Sequence, residues 1–371
     1  MTLHLVSLDA GNGWVKFGDG RVYKSFVHGL RSLRGYEWDS VVKSSGGQGA
    51  RPEYIEVFES KRSRSSSAYA TGIVSFEHGF TEYEVGARRY REGYYNVLAL
   101  QSLSVMLRDK SFEKPDNDNE IVMACTHAPQ DLHFADRLVS CIKGNWKIQS
   151  GGKTLYYNIV HVETVEEPVA GLLNYTLDKD GVAYPQKELW KQTGDVLVLD
   201  IGSYTSDFLS ADQRGVPFPK GAKSETVGID KAKRVFIDLM RSAHDDMFPN
   251  GDSISEDQVE AAFRNKRNGK HFMPAFGDEI DCTEQVEMAT YPMLNQILSA
   301  YRNEYAGGSR YGTILLDGGG SGLMHEILRE SLGHKNIHLV DVVKRIQFAN
   351  ARGAGKMLNM MQRNGYLKEY A

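Results

Sequence analysis

Asp195-Val196-Leu197-Val198-Leu199-Asp200-Ile201-Gly202-Ser203-Tyr204-Thr205-Ser206-Asp207-Phe208-Leu209 decides how the rest of the 371-residue chain is read. Its first half is a β-branched and apolar run, too short for a helix and closed by Asp and Gly, which predicts a buried strand ending at a polar rim. After Gly202 the chain turns within a few hydroxyl-bearing residues and resumes through Phe208 and Leu209, so a hairpin is expected. Its tip carries one carboxylate, a glycine, hydroxyls and a second carboxylate. Glycine lets backbone N–H groups approach phosphate oxygens, and a carboxylate can hold a hydrated magnesium ion. The tip suits a nucleotide-phosphate clamp, although a D-x-G at a strand end is, taken alone, more often a polar turn.

The same pattern stands at the amino terminus. Leu3-His4-Leu5-Val6-Ser7-Leu8-Asp9-Ala10-Gly11-Asn12-Gly13-Trp14-Val15-Lys16-Phe17 again reads as strand, D-x-G, tight turn and strand. Asn12-Gly13 is a two-residue hairpin turn signal. Two such copies far apart in one chain predict an internal duplication. On these residues the chain resembles the actin-like ATPase superfamily. Asp9, Gly11, Gly13 and Lys16 match its phosphate-1 motif, and Asp200, Gly202, Thr205 and Asp207 its phosphate-2 motif.

The length suits two domains, because single cores stop growing near about 250–300 residues. With 41% hydrophobic and 25% charged residues and a formal net charge of −4, the chain reads as an ordinary globular protein. A direct nucleic-acid module is disfavoured by that balance. Cys125, Cys141 and Cys282 are odd in number and widely spaced, which supports neither a disulfide framework nor a metal knuckle and suits a reducing cytoplasm. No apolar run approaches the roughly 20 residues of a membrane span, and no secretory leader is visible.

Residues 21–27 predict a third strand. Residues 31–70 read as a small surface insertion around the strand-like Tyr54-Ile55-Glu56-Val57-Phe58, with Lys61, Arg62 and Arg64 in a solvated loop. Residues 76–87 suit a further strand pair, and 96–107 has helical apolar spacing. Ile121-Val122-Met123-Ala124-Cys125 predicts a strand and 130–142 a helix, while His127 and His133 match no zinc spacing. Ser150-Gly151-Gly152-Lys153-Thr154 is not a Walker A loop, since Lys147 stands where its first glycine belongs.

After a strand at 156–162, Val162-Glu163-Thr164-Val165-Glu166-Glu167-Pro168-Val169-Ala170-Gly171 has the chemistry of a helix start: Pro in the first turn and acidic residues at the positive end. In the resembled superfamily this is the first connecting helix, where a Glu or Gln orients the water that attacks the γ-phosphate. Glu167-Pro168-Val169-Ala170 matches the E-P-x-A of bacterial members, so Glu167 is the implied residue and Glu166 the alternative.

Residues 215–223 read as a Pro- and Gly-rich connector and 228–241 as a helix. The resemblance makes Lys231 and Lys233 on that helix candidates for the nucleotide cleft, although each also suits a solvated face. Residues 253–309 read as polar and mostly helical, with Arg264-Asn265-Lys266-Arg267-Asn268-Gly269-Lys270-His271 a basic surface turn. Tyr311-Gly312-Thr313-Ile314-Leu315-Leu316-Asp317-Gly318-Gly319-Gly320-Ser321 predicts a buried strand entering a glycine-rich turn, where backbone can approach a flat ligand. This resembles the superfamily's adenosine motif, and a dinucleotide fingerprint would need a third glycine that is missing. A strand at 337–340 and a helix over 341–358 follow. The small residues Ala349, Gly353 and Gly355 suit close packing against the first connecting helix.

The resemblance implies an α/β fold of two actin-like, duplicated ribonuclease-H-like domains with a nucleotide cleft between them. Domain I would be residues 1–165 plus 336–371, with an insertion at about 31–70. Domain II would be 166–335, with a helical insertion at about 250–310. It further implies ATP, or GTP, as nucleotide and Mg2+ held through water by Asp9 and Asp200. Phosphate contacts would come from Gly11, Asn12, Gly13, Lys16, Gly202, Ser203, Tyr204, Thr205 and Lys231, and adenosine contacts from Gly318, Gly319, Gly320 and Ser321. Among the branches, a DnaK-type chaperone needs a further peptide-binding domain, and the dehydratase activases need paired cysteines. The MreB branch needs a membrane anchor, and none is seen. Asp9-Ala10-Gly11-Asn12-Gly13 with Lys16 most resembles the ParM-type actins that segregate plasmids. The expectation is a cytoplasmic, ATP-hydrolysing filament that reaches DNA through an adaptor. A small-molecule kinase and a nucleotide-binding scaffold of little turnover stay open.

Overall fold

Both acidic hairpins form, and in each sheet the hairpin is flanked by one further antiparallel strand on one side and a parallel strand on the other. The computed structural model describes residues 2–370 apart from 12, 45–50, 52, 60–63, 78–85, 109–111, 117, 186–193, 245–247, 249–253 and 343–344. The chain divides into two compact units, Met1–Tyr184 with Asn350–Ala371, and Pro185–Ala349.

The first unit is built on β1 (Thr2–Ala10), β2 (Trp14–Gly18), β3 (Tyr23–Val27), β4 (Leu30–Leu33), β5 (Tyr54–Phe58), β6 (Ser66–Thr71), β7 (Asn119–His127), β8 (Gly144–Ser150) and β9 (Lys153–Glu166). Among the described residues they make one nine-stranded sheet in the order β3-β2-β1-β7-β9-β8-β5-β6-β4. Its centre is covered on both faces, as a run such as Ile121 to Cys125 requires. Ile121, Met123 and Cys125 pack with the buried Tyr95–Met106 helix, while Val122 and Ala124 point to a second cluster with Ala170, Ala354 and Leu358. That second cluster puts the Glu167–Thr176 helix in the first unit, so the unit extends past 165.

In the second unit β10 (Asp195–Ile201), β11 (Ser206–Ala211), β12 (Pro217–Glu225), β16 (Tyr311–Asp317) and β17 (Ile337–Leu339) form the order β12-β11-β10-β16-β17. β10 and β11, like β11 and β12, are antiparallel, whereas β10, β16 and β17 run parallel. β3-β2-β1-β7-β9 repeats this order and these directions strand for strand. The duplication inferred from two hairpins therefore extends to five strands in each unit. The Thr283–Glu304 helix buries Val286, Ala289, Met293 and Ile297, spaced on one face, against Leu197, Leu199 and Ile201.

Several local expectations are corrected. Residues 31–70 are no separate insertion: β5 pairs with β8 and β6 pairs with β5 and β4, so they extend the main sheet. Their strands could not be joined to β8 from local patterning. Lys61 and Arg62 lie outside the described residues. Ile73–Glu77 is a short helix where a strand pair was expected, and 78–85 lies outside the described residues. The connector at 215–223 is mostly β12, because its position beside β11 outweighs its weak strand propensity. The basic turn at 264–271 is a hairpin: Asn268 and Gly269, at φ 52° and 81°, join β13 (Lys266–Arg267) to β14 (Lys270–Ala275), and β15 (Asp278–Asp281) adds a third strand. Positive φ at both central residues is what an Asn-Gly hairpin turn demands. The last helix begins at Ala349, later than expected, after a 3-10 turn at Ile346–Phe348.

Candidate functional site

In the first unit the tip is built from the ends of β1 and β2. Asp9 and Lys16 are cross-strand partners, and Lys16 Nζ donates to Asp9 Oδ2 at 3.0 Å. Thr126, near the end of β7, donates its hydroxyl to Asp9 Oδ1 at 2.9 Å. Asp9 is 1% exposed, so both oxygens are fixed before any ligand arrives. The tip's carbonyls are also held. His28 Nδ1 donates to the Gly11 carbonyl at 2.6 Å, its backbone N–H donates to the Gly13 carbonyl at 3.0 Å, and Arg89 donates to the Ala10 carbonyl. Asn12 lies outside the described residues.

β9 runs to Glu166, which is the residue before the Glu167–Thr176 helix and sits opposite His127 in the parallel register with β7. Burial raises the Glu166 carboxyl pKa, and His127 opposes that rise. Glu167 opens the helix and acts electrostatically on Arg89 and Tyr90. The two adjacent glutamates thus meet different neighbours.

In the second unit the tip is a tight turn in which Gly202 N–H donates to the Thr205 carbonyl at 2.9 Å. The first turn of the Ile229–Ala243 helix fastens it from behind, the N–H groups of Ile229 and Asp230 donating to the carbonyls of Gly202 and Ser203 at 3.1 and 3.0 Å. Gly228 is required there, because a Cβ would stand 2.4 Å from the Ser203 carbonyl. Tyr204 OH accepts from Arg234 at 3.5 Å.

Asp200 is level with Asp207 on β11 and Asp317 on β16, giving three buried carboxylates side by side across the sheet. Thr205 donates to Asp207 Oδ2 at 3.2 Å, and Asp317 Oδ1 accepts from Gly318 N–H at 2.7 Å.

The three glycines after Asp317 do different things. Gly318, at φ 80°, and Gly320 lie against the end of β10: added Cβ atoms would fall 2.1 Å from Asp200 Oδ1 and 2.6 Å from Ile201. Internal packing explains both. Gly319 is exposed, and a Cβ there would meet only Gln347, at 3.9 Å. Ser321 is buried and donates to the Leu199 carbonyl at 3.5 Å. These residues form the first part of the short Gly318–Leu323 helix, where a turn was expected.

Lys231 is exposed on the Ile229–Ala243 helix, whereas Lys233 is engaged by Glu256 and Glu260 at 2.8 and 3.2 Å. Lys233 therefore ties two helices of its own unit together. Sequence reasoning missed Thr126, His28 and Arg89, which reach the first tip from 117, 17 and 79 residues away. It also passed over Asp317, for which a signal existed: like β1 and β10, β16 carries an Asp at its carboxyl end.

Among the described residues no group of three or more His, Cys, Asp and Glu is arranged to hold a metal ion. A hydrated Mg2+ needs no such group: in phosphate sites it keeps most of its waters and takes only one or two carboxylates. Asp9 retains acceptor capacity for such waters beside Thr126 and Lys16, since a carboxylate offers about four lone-pair sites.

No protein-family model matches the sequence, and no curated protein sequence matches it. Solved structures match over nearly the whole chain. The actin-like protein Alp7A superposes with a TM-score of 0.72 at 12% identity, covering 100% of this chain and 99% of its own. Bacillus thuringiensis ParM with ATP gives 0.71 at 12%, covering 98% and 100%. The archaeal actin homologue Ta0583 in complex with ADP gives 0.66 at 16%, covering 96% and 99%. At these identities the likeness speaks for architecture. The chain has the actin-like fold in its ParM-type form.

Proposed function

We propose that the protein is a nucleotide-dependent, filament-forming actin homologue that hydrolyses ATP, with GTP as the alternative nucleotide, and moves or segregates DNA through an adaptor protein. The observation that carries this reading is the repeated hairpin, which ends in a buried carboxylate beside a glycine-containing tip in both units and on the same strand order. It is supported by the ParM-type resemblance of the motifs and by the nucleotides bound to similarly folded proteins.

In this reading Asp9 and Asp200 hold Mg2+ through water, and Lys16 balances phosphate charge while staying within reach of Asp9. The backbone of Gly11 to Gly13 and Gly202 to Thr205 donates to phosphate oxygens. Gly202 is suited to this, because among the described residues the atom nearest to where its Cβ would be is the Thr205 carbonyl oxygen, at 3.5 Å. Lys231 contributes charge. Gly319 presents bare backbone to the base and ribose, with Gly318, Gly320 and Ser321 shaping the turn. Glu167 orients the attacking water, with Glu166 as its alternative. Bound Mg2+ would neutralise charge developing on the phosphates, and the protein's part is positioning and preorganised electrostatics. Head-to-tail contacts that do not close into a ring would make the polymer.

The test is 90° light scattering and high-speed pelleting after adding Mg-ATP, Mg-GTP, Mg-ADP or ATP with EDTA, using wild type, Asp200→Ala and Glu167→Ala. Assembly with a Mg-triphosphate that later decays, lost in Asp200→Ala and longer-lived in Glu167→Ala, is the expected result. Nucleotide binding with no sedimenting species at any protein or salt concentration would overturn the filament reading.

A further inference from the structure

Arg89 is 4% exposed at the end of the Gly86–Arg89 turn, beside a largely apolar core that includes Tyr90 and Tyr95. A buried charge costs several kcal/mol in desolvation, and an apolar side chain of similar size is often no worse for stability. Its surroundings show what holds it. The guanidinium lies 5.4 Å from the Tyr90 ring centre and 5.9 Å from that of Tyr95. Tyr90 OH donates to Asp131 Oδ2 at 2.9 Å, and Tyr95 OH donates to the carbonyl of Thr126 at 3.4 Å. Thr126 is the residue whose hydroxyl fixes Asp9. Burial works against the guanidinium charge, but Tyr90, Tyr95, Glu167 and Asp131 outweigh it, and Arg89 stays charged.

The decisive contact is with the Ala10 carbonyl. A trans peptide points its C=O and N–H in opposite directions. Drawing the Ala10 carbonyl into the core therefore sends the N–H of Gly11 outward, to the polar rim. Arg89 is also within electrostatic reach of the carboxylates of Glu167 and Asp131. Lysine could supply the charge but not the planar, multi-donor fork.

We propose that Arg89 is a positioning residue that, by holding the Ala10 carbonyl in the core, aims the Gly11 N–H at phosphate. This inference rests on the nucleotide-hydrolysing reading above.

The experiment compares Arg89→Met, which keeps volume, and Arg89→Lys, which keeps charge. Thermal unfolding, the Kd for Mg-ATP and the Kd for adenosine, which lacks the phosphates, are measured for each. In Arg89→Met the Kd for Mg-ATP should rise about tenfold while that for adenosine changes less than about twofold, and Arg89→Lys should recover part of the Mg-ATP affinity. An equal fold-loss for both ligands would mean that Arg89 is structural only, and overturns the inference. So does wild-type Mg-ATP affinity in Arg89→Met. If Arg89→Met does not fold, Arg89→Lys decides by the same criterion. A wild-type protein that neither binds nor hydrolyses nucleotide would instead remove the functional reading itself.

Discussion

His28 shows how much one buried side chain can tie together. Its Nδ1 faces a carbonyl and must carry the proton, which leaves Nε2 to accept from Tyr94 OH at 2.9 Å. The neutral ring is thus fully satisfied, and charging it would break the second bond. Burial, reinforced by Arg89, pushes its pKa from the ordinary 6.5 down to about 3. In the unfolded chain the ring charges below about pH 6.5, whereas in the folded chain it stays neutral to about pH 3. Its contribution to stability is therefore complete above the ordinary value and is lost as pH falls through that window. At pH 5 the loss should be on the order of 2 kcal/mol relative to pH 7.5. Urea unfolding of wild type and His28→Gln at both pH values checks this: the acid loss should shrink in the variant, and an unchanged loss would assign it to other groups. Asp9 and Lys16 were legible as members of one motif, because a hairpin brings residues seven apart together, and the structure adds that they pair. Thr126 and Arg89 were not, since nothing local marks a Thr or Arg as facing a distant carboxylate or carbonyl.

At the scale of elements, glycines divide into those the fold needs and those it leaves open. Gly353 belongs to the first kind: a Cβ would come 1.7 Å from the Ala170 carbonyl, where the Ala349–Arg363 and Glu167–Thr176 helices cross in the first unit. At Gly355 a Cβ would come 2.7 Å from Tyr23 OH, so this glycine packs on β3 and not on that helix. Gly353→Ala must push the helices apart and should cost on the order of 3 kcal/mol, read as a lower midpoint in chemical unfolding. Gly202→Ala should leave that midpoint within about 0.5 kcal/mol, because its Cβ has room. It should nonetheless weaken Mg-ATP binding about tenfold by calorimetry, since the methyl group occupies the space a phosphate would take. Equal stability losses in both variants would contradict this division. The helix-start chemistry of Glu167 and Pro168 was readable without the structure, whereas the partner of Gly353 was not.

For the whole molecule the consequence lies in how the chain is shared out. The second unit is one continuous segment, but the first is completed by Asn350–Ala371. Ala354, Leu358 and Leu367 are buried against Val122, Ala124, Val165 and Ala170. Each large buried side chain is worth about 2–5 kcal/mol on deletion, so losing this segment removes stability comparable with that of an entire domain. Deleting 350–371 should abolish hydrogen-exchange protection in β7 and β9 while β10 and β16 remain protected. Retained protection in β7 would show that the sheet does not need this cover. No helix among the described residues is long and apolar enough to cross a membrane.

The sequence by itself determined the features that repeat over short range. Apolar runs ending in Asp and Gly specified the central strands, Asn-Gly and hydroxyl-rich tips specified the hairpins, and their recurrence pointed to a duplicated actin-like fold. Period and turn chemistry act between neighbours in the chain, so they can be read along it. Only the tertiary structure decided that residues 31–70 extend the main sheet, that β12 is a strand, and that Asp200 has Asp207 and Asp317 beside it. It alone showed that Thr126, His28 and Arg89 converge on the tip after Asp9. Edge pairing and buried hydrogen bonds join residues tens to more than a hundred positions apart, and the geometry that selects those partners exists only once the chain has folded.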